Sequence, residues 1–396
     1  MQLLDRRKAL TITPFFRLGF RPFFLLGSVL AMLAIPLWIM ALNGWLADWQ
    51  PTGGWLAWHR HELLFGFAAA IIAGFLLTAV QTWTGIPGLS GRSLAVLTGI
   101  WVAARLAWLV GAPVWLVVLL DVLFLPLVAA QMARSVWPVR QQRNYPLVIM
   151  LTLMAIANAV TLYGVVTGND QLQRQATVGG LWFVAGIMSM IGGRVIPFFT
   201  QRGLLRKEGV AAWPKLDWSL LIGTILISVA LLQGWGMQPK FLLGIAFLAL
   251  GVGQFIRVVR WYDAGIWQVP LLWSLHVAYA WMAVAYIAMA FWSFSILANI
   301  SIAVHALTVG AMGGLILAMI ARVTLGHTGR PLQPPRSMTW AFMLFNFGAL
   351  ARVFIVDWAY FPGLWIAAIC WSLSFAMYVW NYAPMLWQAR VDGNPG

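Results

Sequence analysis

An all-α membrane protein of about twelve transmembrane helices is the fold class that this 396-residue sequence predicts, and three observations predict it. The first is composition. Hydrophobic residues make up 62% of the chain and charged residues only 9%, with a mean hydropathy of +0.84; soluble domains are nearer ~45–50% apolar and ~25% charged. The second is run length. A helix needs ~20 apolar residues to cross the hydrocarbon, and such runs lie at roughly 22–45, 58–83, 93–111, 113–133, 146–167, 176–199, 217–236, 239–261, 269–292, 297–322, 338–356 and 361–388. The third is loop charge. With the N-terminus cytoplasmic, the inner segments collect most of the basic residues, among them Arg6, Arg7, Lys8, Arg17, Arg21, Arg134, Arg140, Arg202, Arg206, Arg257, Arg260, Arg322, Arg330 and Arg390, whereas the outer segments hold Arg60, Arg174 and Lys240. One missed helix would reverse the signs downstream, so this skew supports the even count and places both termini in the cytoplasm.

Taken in order, the elements are punctuated as a polytopic chain requires. The start, MQLLDRRKALTITPFFRLGFRPFF, is basic but has no small-residue cleavage site, so it reads as retained rather than as a signal peptide. Trp45, Trp49, Trp55 and Trp58 lie between the first two runs, and Trp137, Trp213, Trp235 and Trp267 lie near the ends of later ones. Indole favours that interface because its ring is apolar and its N–H needs a partner. Pro113 marks the turn between the third and fourth runs; the connections near 200–217 and 323–338 are basic, carry Pro and Gly, and read as exposed turns. No polar segment is long enough for a soluble domain, so residues 1–396 form a single polytopic membrane domain, and no internal repeat is evident. The net charge of +15 follows from the basic loops and argues against a nucleic-acid partner, since no basic stripe stands apart from a membrane boundary. The lone Cys370 excludes an internal disulfide.

Ionisable groups inside the hydrocarbon need a partner or a task. Arg105 and Asp121 are equally spaced about Pro113, so an antiparallel hairpin brings them to one depth as an internal ion pair with a structural role. Glu62, Arg194 and Arg352 are the other intramembrane charges. In GGRVIPFF, Gly192 and Gly193 admit a close neighbour, Pro197 ends or kinks the helix, and Arg194 either pairs with a carboxylate, such as a haem propionate, or snorkels to the interface.

All five histidines lie in or beside apolar runs: His59, His61, His276, His305 and His327. On the tenth run, His305 and His327 are separated by ~33 Å if the segment stays helical, too far to share one metal. The topology groups His59, His61 and His305 on the outer side and puts His327 at the cytoplasmic mouth, in LGHTGR; His276 lies deeper and fits either side. His59 and His61 diverge by ~200° on a helix, so one reads as a ligand and the other as its orienter, with Glu62 accepting a ring N–H. Imidazoles among packed helices suit haem iron or copper. Non-covalent, b-type haem is the form expected, because no Cys-x-x-Cys-His is present. The expected haem ligands are His305 on one face and His59 or His61 on the other. His327 and Arg330, with Arg194 and His276, make a second candidate site for copper or an anion.

The blocks FRLGFRPFFLLG, WHRHELLFG, GGRVIPFFT and HALTVGAMGGLILAMIARVTLGHTGRPL together resemble the NnrS family, over about residues 15–385. The resemblance implies a polytopic bacterial inner-membrane protein that contains haem and copper and is linked to nitric oxide and nitrosative stress during denitrification. It carries over His59, His61, Glu62, Arg194, His305, Arg322, His327 and Arg330, with His276 in LHVAYAW as a less specific match. The family pattern has a small residue where this chain has Arg60 and methionine where it has Leu63 and Leu315, so no thioether ligand is expected there. The implied ligand is nitric oxide or a nitrosyl species, bound, turned over or kept from iron centres; a haem-dependent oxidoreductase activity and its redox partner stay open. The competing reading is a secondary transporter or metal exporter that uses the intramembrane His, Arg and Asp residues. That reading expects broken midplane helices and an internal repeat.

Overall fold

The computed structural model describes residues 6–395. Residues 1–5 and 396, including the first part of the N-terminal stretch read above as retained, lie outside the described residues. Among the described residues, no strand is present and twelve helices are long and apolar enough to cross a membrane. They are α1 (Phe20–Leu42), α2 (Gly54–Thr84), α3 (Gly91–Leu109), α4 (Val114–Val136), α5 (Gln142–Val166), α6 (Asp170–Gly203), α7 (Pro214–Leu232), α8 (Phe241–Trp261), α9 (Pro270–Ser293), α10 (Ile300–His327), α11 (Arg336–Ile355) and α12 (Tyr360–Trp387). The chain is a multi-pass membrane protein whose apolar surface contacts lipid.

Helix ends differ from the sequence reading for local reasons. α2 starts four residues before the expected 58, because Gly53 and Gly54 take positive φ (74° and 84°) and turn the chain into the helix. Trp55 and Trp58 are therefore buried in protein rather than set in the interface. Pro197 does not end α6, which runs on to Gly203. α10 continues through Arg322 to His327, so both residues belong to the span. Three cations assigned to inner loops are instead buried within helices: Arg21 in α1, Arg257 in α8 and Arg322 in α10.

By its internal contacts the chain divides into two compact units. One comprises residues 1–177, 320–333 and 375–396; the other comprises 178–319 and 334–374. In the first, α1 and α2 are held together by glycines. A Cβ on Gly27 would come within 2.9 Å of Ile71, and one on Gly74 within 2.9 Å of Phe23. Close backbone approach of this kind is how helices associate without a hydrophobic drive in lipid. The Thr52 hydroxyl donates to Ala112 O (2.8 Å) and its N–H to Trp108 O (3.0 Å), fixing the entry to α2 on the α3–α4 hairpin.

The second unit hides a polar network. Arg257 on α8 pairs with Asp217 (2.5 Å) and donates to Ser189 Oγ (2.9 Å) and Tyr279 Oη (2.8 Å), while Tyr279 donates to Gln254 (2.6 Å). A buried guanidinium is tolerable only with partners of this number. A Cβ on Gly192 would come within 2.7 Å of Tyr279, so the GG pair of α6 does admit a close neighbour. Outside the spans, Arg206 grips Asp263 with two bonds of 2.8 and 2.9 Å and, with the Gly265 N–H, holds that carboxyl down at about 2.

Three spans contain π-helical turns: Glu62–Ala68 in α2, Ala306–Gly313 in α10 and Ala351–Ile355 in α11. The first follows directly on His61, the second directly on His305, and the third contains Arg352. Gly66 and Gly310 each stand five residues after their histidine, and neither has room for a Cβ: Arg105 Nη1 would be 2.7 Å away in one case and the Trp281 ring 2.5 Å in the other. The Trp101 indole donates to Gly66 O (3.1 Å).

Candidate functional site

In the first unit, α2, α3, α4 and α5 converge on one buried polar cluster. His61 and Glu62 come from α2, Arg105 and Trp108 from α3, Asp121 from α4 and Asn158 from α5. His61 and Glu62 are both 0% exposed, a burial that a carboxylate tolerates only with partners. Arg105 Nη2 and the Trp108 indole both donate to Asp121 Oδ2, the latter at 2.6 Å. Arg105 Nε lies 3.1 Å from Glu62 Oε2, an ion-pair contact rather than an aligned hydrogen bond. The pairing of Arg105 with Asp121 across the Pro113 hairpin is therefore present, and it extends to a second carboxylate.

His61 sits between acceptors. Its Nδ1 faces Glu62 Oε1 at 3.0 Å and its Nε2 faces Asn158 Oδ1 at 2.9 Å, with Asp121 Oδ1 at 3.6 Å. Glu62 therefore lies within hydrogen-bond reach of the His61 ring. Two carboxylates, Glu62 and Asp121, thus face one guanidinium. His61, Glu62 and Asp121 have ligand atoms within 4.8 Å of one another and are the one group of three or more His, Cys or carboxylate side chains able to hold a metal among the described residues. Glu62 Oε2 is buried and accepts no hydrogen bond, a donor atom that a metal ion would take.

The remaining histidines have separate settings. His59 is half-buried and stacks flat on Trp38, ring centroids 4.6 Å apart and planes at 9°. His305, in the second unit, directs Nδ1 to Ser301 O (2.8 Å) and accepts from Arg352 Nη2 at Nε2 (2.9 Å). His276 faces backbone: Nδ1 is 3.0 Å from Leu272 O and Nε2 is 3.3 Å from Trp261 O, with Thr200 Oγ1 at 3.5 Å. His327 lies against Phe20 at 5.4 Å, and its carbonyl accepts from Arg390 (3.0 Å). Arg194 is exposed on α6, Arg322 is buried and Arg330 half-buried. His61 and Glu62 are thus brought together; His59 and His327 belong to the first unit and His276 and His305 to the second.

The family model described as NnrS protein matches residues 14–390, nearly the whole chain. The chain belongs to the NnrS family. No curated protein matches it. Within the matched residues, the segment WHRHELLFG carries His59, His61 and the start of the first π turn, and HALTVGAMGGLILAMIARVTLGHTGRPL carries His305, the second π turn and His327. Two members of the buried cluster escaped the sequence reading. Asn158 had a signal, a lone amide within the apolar fifth run, and polar side chains there ordinarily bond across helices. Trp108 had none, because it is one of 25 tryptophans.

Proposed function

We propose that this NnrS-family chain is a haem- and copper-containing protein of the bacterial inner membrane that binds or turns over nitric oxide in defence against nitrosative stress. The observation that carries the reading is the coincidence of backbone and side chain. Every π-helical turn among the described residues follows a candidate histidine or contains the arginine bonded to one. Such turns are rare and recur at functional sites.

The donor chemistry fits haem. The candidates are imidazoles, which need no countercharge in a membrane, whereas a thiolate would. His61 belongs to the buried carboxylate cluster, so His59 is the imidazole of α2 that we assign to haem iron. His305 is the imidazole of α10 so assigned: Ser301 O orients its ring at Nδ1, and Nε2, which faces Arg352, is the atom that would bind iron. Copper would find imidazole and carboxylate donors at His61, Glu62 and Asp121, a set that suits Cu(II). Bound iron would supply the nitric oxide chemistry. Nitric oxide is small and apolar and reaches such a site from lipid without a polar channel.

The test is haem per folded protein in single alanine variants. His305→Ala and His59→Ala should each lower haem per folded protein, while His276→Ala should keep it. Full haem in both of the first two, with loss in His327→Ala, would put the haem at the other membrane boundary.

A further inference from the structure

The boundary that carries the start of α1 and the ends of α10 and α12 holds an excess of buried positive charge. Arg21 is 0% exposed. Its Nη1 donates to Leu386 O (3.0 Å) and Gln388 O (2.7 Å), capping the C-terminus of α12. Its Nε and Nη2 are buried and bond to nothing among the described residues. Arg330 Nη1 and Tyr382 Oη, the latter one helical turn before Leu386, are buried and without a partner as well. Arg390 donates to His327 O (3.0 Å) and the Val391 N–H to Thr328 O (3.3 Å), so the segment that carries Arg330 packs on the stretch just after Gln388, whose carbonyl Arg21 binds.

The other cations here are already engaged. Arg17 donates to Leu10 O (3.1 Å) and Ile12 O (2.9 Å). Arg390 is held by Asp392 with bonds of 2.9 and 2.6 Å, which raise its affinity for the proton. Among the described residues Asp392 is the one carboxylate of this group, and it is taken by Arg390, so Arg21 and Arg330 have no counter-ion among them. Leaving a charged donor buried and unbonded costs more than leaving a neutral one. Like charges gathered against one acid repel one another, and a bound anion would offset that repulsion.

We propose that Arg21 and Arg330, with the Tyr382 hydroxyl, form a binding site for a phosphate group at this membrane boundary. The edge of the Arg21 guanidinium formed by Nε and Nη2 is the fork that grips two oxygens of one oxyanion. Arg330 and Tyr382 add donors for the remaining oxygens, more than a carboxylate needs. The site lies where three apolar spans begin or end, so the phosphate comes from an anionic lipid headgroup or from free phosphate in solution. Between copper and an anion near His327, these surroundings favour the anion.

Delipidated protein in neutral detergent distinguishes the sources. The thermal midpoint of the monodisperse protein is followed against phosphatidylglycerol, phosphatidylcholine and inorganic phosphate, with chloride matching the ionic strength. Phosphatidylglycerol raising the midpoint far more than phosphatidylcholine identifies the lipid headgroup; inorganic phosphate raising it as well identifies the free anion. Arg330→Gln, at a half-buried position, should fold and weaken the response about tenfold or more, and Arg21→Gln should abolish it. Arg140→Gln, an exposed cation in the α4–α5 loop, should leave it unchanged. No response in the wild type, or an equal loss in Arg140→Gln and Arg330→Gln, overturns the proposal, whether or not Arg21→Gln folds.

Discussion

Arg105→Leu removes the one guanidinium that faces Glu62 and Asp121. Breaking a buried ion pair by deleting one partner costs about 3–5 kcal/mol, or about two to three and a half powers of ten in the folded-to-unfolded ratio. The structure puts Arg105→Leu at the upper end, since a single deletion strips the cation from two carboxylates. Asp121→Asn should be milder. It keeps an oxygen acceptor for the Trp108 indole, and Arg105 keeps Glu62 at 3.1 Å. The double variant leaves only Glu62 without a cation, beside the His61 ring that already bonds it, and should recover part of the loss. The assay is the fraction that stays monodisperse on size exclusion after a heating series in detergent. The expected order of midpoints is wild type, Asp121→Asn, the double variant, then Arg105→Leu. Wild-type stability in Arg105→Leu, or a double variant no better than Arg105→Leu, would refute the coupling.

Three further outcomes follow from the same geometry. Gly66→Ala should drive its methyl against Arg105 Nη1 at 2.7 Å and cost about 1–3 kcal/mol in the same heating assay, although it changes no charge; a neutral result would mean that the α2–α3 contact gives way freely. Asp263→Asn should speed tryptic cleavage near Arg206 and Lys207. Because the carboxyl is held down at about 2, the wild-type clamp is fully present above about pH 4 and is lost as the pH falls through 2; wild-type and variant loops opening alike at pH 7 would dismiss it. Both termini should face the cytoplasm: phosphatase fused after Pro335 should be inactive, and an active fusion there would invert the topology.

The fold was legible because the hydrocarbon imposes a length and a charge rule on the sequence. Twelve spans of ~20 apolar residues leave few ways to be miscounted when loop charges must alternate. Buried partners were legible where one turn forces them together, as Pro113 does for Arg105 and Asp121. Glu62, Asn158 and Trp108 join the same cluster through helix packing, which neither periodicity nor spacing encodes. The same limit hid the role of Arg21. By loop-charge counting it was one more inner cation, whereas packing between α1 and the end of α12 buries it completely. The π turns were invisible for another reason: Gly66 and Gly310 resemble ordinary small residues at a helix interface, and only the backbone shows the turns after His61 and His305.

The central claim, haem held by membrane histidines and open to nitric oxide, is tested most directly by the absorption spectrum of the detergent-purified protein from haem-sufficient cells. Iron and copper are measured on the same sample, and nitric oxide is titrated into the reduced protein. The account predicts a Soret band that shifts on nitric oxide addition, stoichiometric iron, and copper that falls in Asp121→Asn. A folded, monodisperse protein that is colourless and free of both metals would contradict it.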